Sequence, residues 1–134
     1  MDTTYSELLQ RRRQHLNITL DKNSRAVWIE FKYSTERPCC SPALLQDLQA
    51  VQHTIRQTAQ TGYHQNQPDR LMFQVLASSD TRAFNLGGDL NYFIELIEAG
   101  DRENLLGYAK TCIDIQFSSV THYDIPFTTI SLVQ

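Results

Sequence analysis

Residues 78–93, "SSDTRAFNLGGDLNYF", set two consecutive glycines between an apolar run and a helix-like run. The run before them, "RLMFQVLAS" at 70–78, is mainly apolar, the pattern of a strand covered on both faces. After them, Asp89 is placed to cap a helix that starts at Leu90. The order strand, loop, Gly-Gly, Asp, helix has two readings. Gly87-Gly88 is either a plain turn or a place where a ligand meets the backbone closely, because glycine has no Cβ to block the approach. In the second reading the N–H groups lie beside the positive end of a helix dipole, which suits an oxyanion or a phosphate. Taken alone, a Gly-Gly pair leaves both readings open.

The rest of the chain organises around this stretch. "NITLD" and "AVWIEFKY" flank Asp21-Lys22-Asn23-Ser24, whose turn-forming residues predict a β-hairpin. Val27, Ile29, Phe31 and Tyr33 would share one face, with Ala26 and Trp28 on the other. "ERPCCS" is an irregular connector, and Ser41-Pro42 reads as an N-cap with proline in the first turn of a helix reaching about Gln60. Leu44, Leu48, Val51, Ile55 and Ala59 form its core stripe. Residues 61–69, "TGYHQNQPD", read as a polar surface loop. Two helices are expected at about Leu90–Ala99 and Arg102–Phe117, parted by Gly100-Asp101, the second with Leu105, Leu106, Ala109, Cys112, Ile113 and Gln116 at three-to-four spacing. "FTTISLVQ" supplies a last strand. The order β-β-α-β-α-α-β predicts an α/β domain with partly parallel pairing.

Tyr5, Leu8, Leu9 and Leu16 predict an amphipathic helix or extension over residues 1–16, leaving 17–134 as the domain proper. A chain of 134 residues fits one domain, which would bury ~68% of its unfolded surface. Arg11-Arg12-Arg13 is the one basic run, and a net charge of −3 gives no field that would gather nucleic acid. No run of ~18 apolar residues is present to span a membrane, and the first residues lack the apolar core of a secretory signal, so a cytoplasmic location is expected. Three cysteines, Cys39, Cys40 and Cys112, argue for free thiols rather than a disulfide framework or a zinc site. The four histidines show no ligand spacing, so no metal is expected. Neither a dinucleotide fingerprint, a P-loop nor a nucleophile elbow occurs.

The motif Phe84-Asn85-Leu86-Gly87-Gly88-Asp89-Leu90 resembles the F-x-x-G-[AG]-D-[LI] loop of the crotonase (enoyl-CoA hydratase/isomerase) superfamily. Upstream, "RPCCSPALLQDLQAV" resembles the connector of that family, in which R-P passes the thioester cofactor and enters a helix through Ala43-Leu44. Pro42 stands where the family usually has Asn, and Cys39 where it has a basic residue. The strings F-N-L-G-G-D-L, "GDRENLLGYAKTC" and R-x-C-x-S are similar to the subgroup that makes diffusible signal factors, cis-2-unsaturated fatty acids of bacterial quorum sensing.

The resemblance runs from about residue 17 to Gln134 and implies the N-terminal half of a crotonase-like ββα spiral fold. It implies an acyl-thioester-binding module of a hydratase or dehydratase acting on a 3-hydroxyacyl thioester, with thioester hydrolysis as a further step. Coenzyme A or acyl carrier protein would carry the substrate, with no tightly bound cofactor. Gly88 would give one backbone N–H of the oxyanion hole. Leu86, Gly87, Asp89 and Leu90 would shape the thioester loop, and Arg37, Cys39 and Cys40 would line the cofactor entrance. The second donor and the acid/base glutamates of the family match nothing in these residues. The implied partners are a C-terminal half or homologous subunits in a trimer or hexamer. The alternative is a non-catalytic assembly partner of a full-length relative.

Overall fold

A computed structural model of the chain describes Glu7, residues 11–33 and residues 37–134. Its elements are β1 (Leu16–Asp21), β2 (Ala26–Phe31), α1 (Pro42–His64), β3 (Phe73–Ser78), α2 (Leu90–Glu98), α3 (Arg102–Val120), a 3-10 turn (His122–Asp124) and β4 (Thr128–Ser131). The expected order is therefore present, with the 3-10 turn added. Most of the helix expected over 1–16 lies outside the described residues. Residues 11–15 are not helical, and Leu16, expected on that helix, opens β1 and is buried in the core.

The four strands form one sheet in the order β1-β2-β3-β4. The first pair is antiparallel, with Ile18 opposite Ile29 and Thr19 opposite Trp28. The hairpin turn is set by Asp21, whose Oδ1 accepts from the N–H groups of Asn23 and Ser24. β3 runs parallel to β2, and β4 parallel to β3, as expected for strands that return after helices.

One sheet face carries the core. Val27, Ile29 and Phe31 meet Leu44, Leu48, Val51, Ile55 and Ala59 of α1, so both expected stripes are buried. Ser41 caps α1 through its Oγ, 3.2 Å from the Leu44 N–H, and Pro42 occupies the first turn. β3 is covered on both faces as expected, with Gln74 and Val75 buried and no residue of the strand exposed; beside Val75 on the second face, Trp28 and Ile130 of the neighbouring strands are 37% and 44% exposed.

Two further expectations are corrected. The segment read as a loop from residue 61 is helical through His64. Gly62 is not a breaker there, since a Cβ on it would lie 2.7 Å from the Cβ of Arg70, so the glycine admits a close chain approach. On α3, the expected stripe included Leu106, Ile113 and Gln116, but these face outward, and Tyr108 and Ile115 are the buried positions. Leu106, Ile113, Phe117 and Val120 form a second apolar face, each about two-thirds exposed or more. A helix with apolar residues on two faces has no single periodic solution.

Candidate functional site

The loop 84–89 is built against the Arg37-Pro38-Cys39-Cys40 connector. The Cys40 N–H donates to the Gly87 carbonyl at 2.8 Å and the Leu86 N–H to the Pro38 carbonyl at 2.7 Å, so Cys40 and Gly88 form a parallel bridge. The two motifs singled out in the sequence, far apart along the chain, are thus brought side by side. Gly87 has φ +89°, a left-handed conformation that glycine tolerates. Gly88 serves a different need: a Cβ on it would lie 2.9 Å from Cε2 of Phe93. Both glycines are exposed.

Asp89 caps α2, its Oδ1 accepting from the Tyr92 N–H at 3.2 Å. Its own N–H donates to the Tyr108 hydroxyl at 3.0 Å, and that hydroxyl donates to the Cys40 carbonyl. Tyr108 also packs edge-on against Tyr92 and Phe93. On the other side of the glycines stands Asn85. Its Oδ1 accepts from the Gly87 N–H at 2.6 Å and from the Cys40 thiol at 3.4 Å. Its Nδ2 donates to the Tyr33 hydroxyl at 3.1 Å, which donates to the Phe84 carbonyl. No hydrogen bond from the Gly88 N–H is present among the described residues.

Burial raises the phenol of Tyr33 and carries that of Tyr108 to about 12, so both hydroxyls stay neutral and able to donate at ordinary pH. Burial likewise raises the Cys40 thiol, which opposes a thiolate beside the loop. Asp80, before the loop, is held at about 2 by hydrogen bonds from the Arg82 side chain and N–H.

The remaining expected site residues are distributed as follows. Leu86 and Leu90 are 56% and 58% exposed on either side of the glycines. Arg37 is exposed, Cys40 is half-buried, and Cys39 is buried, with 8% of its surface exposed. None of the three cysteines is in a disulfide, and among the described residues no three His, Cys, Asp or Glu side chains converge on a common point. Asn85, Tyr33 and Tyr108 were not singled out from the sequence. Asn85 lay in plain view as the residue two before Gly87, the spacing of an Asx turn. The tyrosines gave no signal, being 52 and 19 residues from their partners.

No model of a known protein family and no curated protein matches the sequence. Solved structures are similar to it in fold. An enoyl-CoA hydratase from Shewanella pealeana is similar over 100% of this chain and 43% of its own, with a TM-score of 0.69 and 18% identity. One from Mycobacterium smegmatis is similar over 90% of this chain and 40% of its own, with a TM-score of 0.65 and 22% identity. One from Bacillus halodurans gives a TM-score of 0.57 at 16% identity, over 90% and 42% of the two chains. The chain therefore spans less than half the length of these proteins, and its α/β arrangement is the crotonase fold over the N-terminal part that it covers.

Proposed function

We propose that the chain is an acyl-thioester-binding crotonase-like module, with the Gly88 N–H as an oxyanion donor. The observation that carries this reading is an exposed, uncommitted amide at the start of a capped helix, in a loop fixed on both sides. As a thioester becomes an enolate, its oxygen gains negative charge, and a preset N–H stabilises that charge without reorganising. Arg37 and the backbone of Cys39 and Cys40 would meet the carrier, coenzyme A or acyl carrier protein. Leu86 and Leu90 would flank the thioester.

The activity in question is hydration or dehydration of an enoyl or 3-hydroxyacyl thioester. The subgroup resemblance points to signal-factor synthesis with thioester hydrolysis as a second step. The residues described include no second donor or acid/base pair for this chemistry; the rest of the fold or homologous subunits would supply them. The open sheet face around Trp28 and Ile130 and the outer face of α3 support such a covering partner. The same faces also fit the alternative of an assembly partner without chemistry.

Complementation separates these. The chain is mixed with a polypeptide supplying the rest of a crotonase fold, and dehydration of 3-hydroxybutyryl-CoA is followed. Gly88→Pro, which deletes the N–H, should lower turnover by about 10²–10³. Turnover unchanged in Gly88→Pro overturns the oxyanion role, and association without any turnover favours the non-catalytic reading.

A further inference from the structure

Along the loop, four successive amides have different fates. The Leu86 N–H is held by the Pro38 carbonyl, the Gly87 N–H by Asn85 Oδ1, and the Asp89 N–H by the Tyr108 hydroxyl. The Gly88 N–H between them is bound to nothing in the described residues. A loop with two adjacent free amides would offer two competing donors at different angles. This one offers a single donor.

We infer that Asn85 is a positioning residue: by taking up the Gly87 amide it leaves the Gly88 N–H as the sole loop donor and fixes the direction in which that N–H points. The inference rests on the thioester-binding reading above. The orientation of the Asn85 amide follows from hydrogen-bond logic. The Gly87 N–H can only donate, so the atom 2.6 Å from it is Oδ1. Nδ2 then faces the Tyr33 hydroxyl, which accepts and passes its own hydrogen to the Phe84 carbonyl.

Tyr108 does the same on the far side, accepting from the Asp89 N–H and donating to the Cys40 carbonyl. Two tyrosine hydroxyls, each between an N–H donor and a carbonyl, thus bracket the Gly87-Gly88 pair. The Cys40 thiol adds a second donor to Asn85 Oδ1 at 3.4 Å, tying the carboxamide to the connector as well. Glycine takes φ +89° without strain but is not confined to it, and the bond from its amide to Asn85 Oδ1 holds the loop in that conformation.

The test uses the 15N-labelled 134-residue chain, with hydrogen exchange read amide by amide, and titration with butyryl-CoA and, in parallel, with free coenzyme A. In the wild-type chain the Gly87 amide should exchange slowly and the Gly88 amide fast. Butyryl-CoA, but not coenzyme A, should shift the Gly88 amide and leave Gly87 in place. Asn85→Ala should speed exchange at Gly87 about tenfold and spread the thioester-induced shift over both amides. Asn85→Asp keeps the acceptor and loses the Nδ2 donor, so it should restore slow exchange at Gly87. A role in overall stability alone would move exchange across the sheet in both variants and would not separate them.

If Gly88 responds in the wild-type chain while Asn85→Ala leaves Gly87 exchange unchanged, the positioning role is overturned and the thioester reading survives. If Gly88 ignores butyryl-CoA in the wild-type chain, the thioester reading is overturned. Slow exchange at Gly87 that depends on Asn85 would then still establish the clamp.

Discussion

The Tyr108 hydroxyl stands 3.0 Å from the Asp89 N–H, so a residue on α3 holds the amide that follows Gly88. The same hydroxyl donates to the Cys40 carbonyl, and one side chain therefore joins the connector, the loop and α3. Tyr108→Phe keeps the ring contacts with Tyr92 and Phe93 and deletes only the oxygen. Two backbone groups lose their partner, and the expected loss of stability is about 1–3 kcal/mol, read by urea denaturation. A loss near zero would mean that water replaces the hydroxyl at both groups.

Alkaline pH addresses the same hydroxyl. Its folded pKa, about 12, is raised above the unfolded value near 10 by burial. The folded state therefore holds the proton longer than the unfolded state does. That contribution is complete below about pH 10 and is lost as the pH rises toward 12. Stability should decline over this window, and in Tyr108→Phe the decline should be shallower, with Tyr33, Tyr123, Cys40 and Cys112, all raised by burial, supplying the remainder.

Gly87 and Gly88 should respond differently to alanine. Gly87→Ala meets no atom within 4 Å but must take φ +89°, a cost of about 1–2 kcal/mol that no neighbouring substitution relieves. Gly88→Ala meets the far edge of the Phe93 ring, which is movable, and should cost about 1 kcal/mol. Phe93→Leu in the Gly88→Ala background should recover most of it, whereas in the Gly87→Ala background it should recover nothing. The four chains are compared by thermal unfolding, and equal rescue in both backgrounds would contradict the separate origins.

These contrasts bear on how much the sequence could reveal. Strand and helix order, the caps at Ser41 and Asp89, and the α1 stripe were legible, because each rests on local spacing or a local bond. Gly62 was misread because a glycine that breaks a helix and one that admits a neighbour look alike until Arg70 is placed beside it. The α3 stripe was misread because Leu106, Ile113 and Phe117 are as apolar as the residues that are actually buried. In the site, the glycines, Asp89 and the nearness of the connector to the loop could be expected. The tyrosine clamps could not, since their partners are set by tertiary packing.

Gly62 itself gives a core test. A methyl at this position falls 2.7 Å from Arg70 Cβ, an atom fixed to the backbone rather than the end of a flexible chain. Gly62→Ala should improve intrinsic helix propensity by about 0.5–1 kcal/mol and lose more than that to the clash, giving net destabilisation. A more stable variant would show that the 65–70 segment yields easily.

The outer face of α3 is an apolar surface. Leu106, Ile113, Phe117 and Val120 are 66%, 64%, 65% and 73% exposed, and Leu90, Ile94 and Ile97 on α2 are more than half exposed. An apolar surface of this extent on one protein normally meets a partner or drives self-association. Because Ile113 and Phe117 contribute little to the core, Ile113→Glu with Phe117→Glu should leave the unfolding free energy within about 0.5 kcal/mol of wild type. The same pair should abolish concentration-dependent mass in light scattering and weaken dye binding to apolar surface. A wild-type chain that scatters as a 15.5 kDa monomer at every concentration would remove this face as a docking surface, since nothing would then be gained by charging it. If instead the wild type associates and the double variant does so equally, association runs through the open sheet face, and Trp28→Glu, at the centre of that face, becomes the substitution that should disperse it.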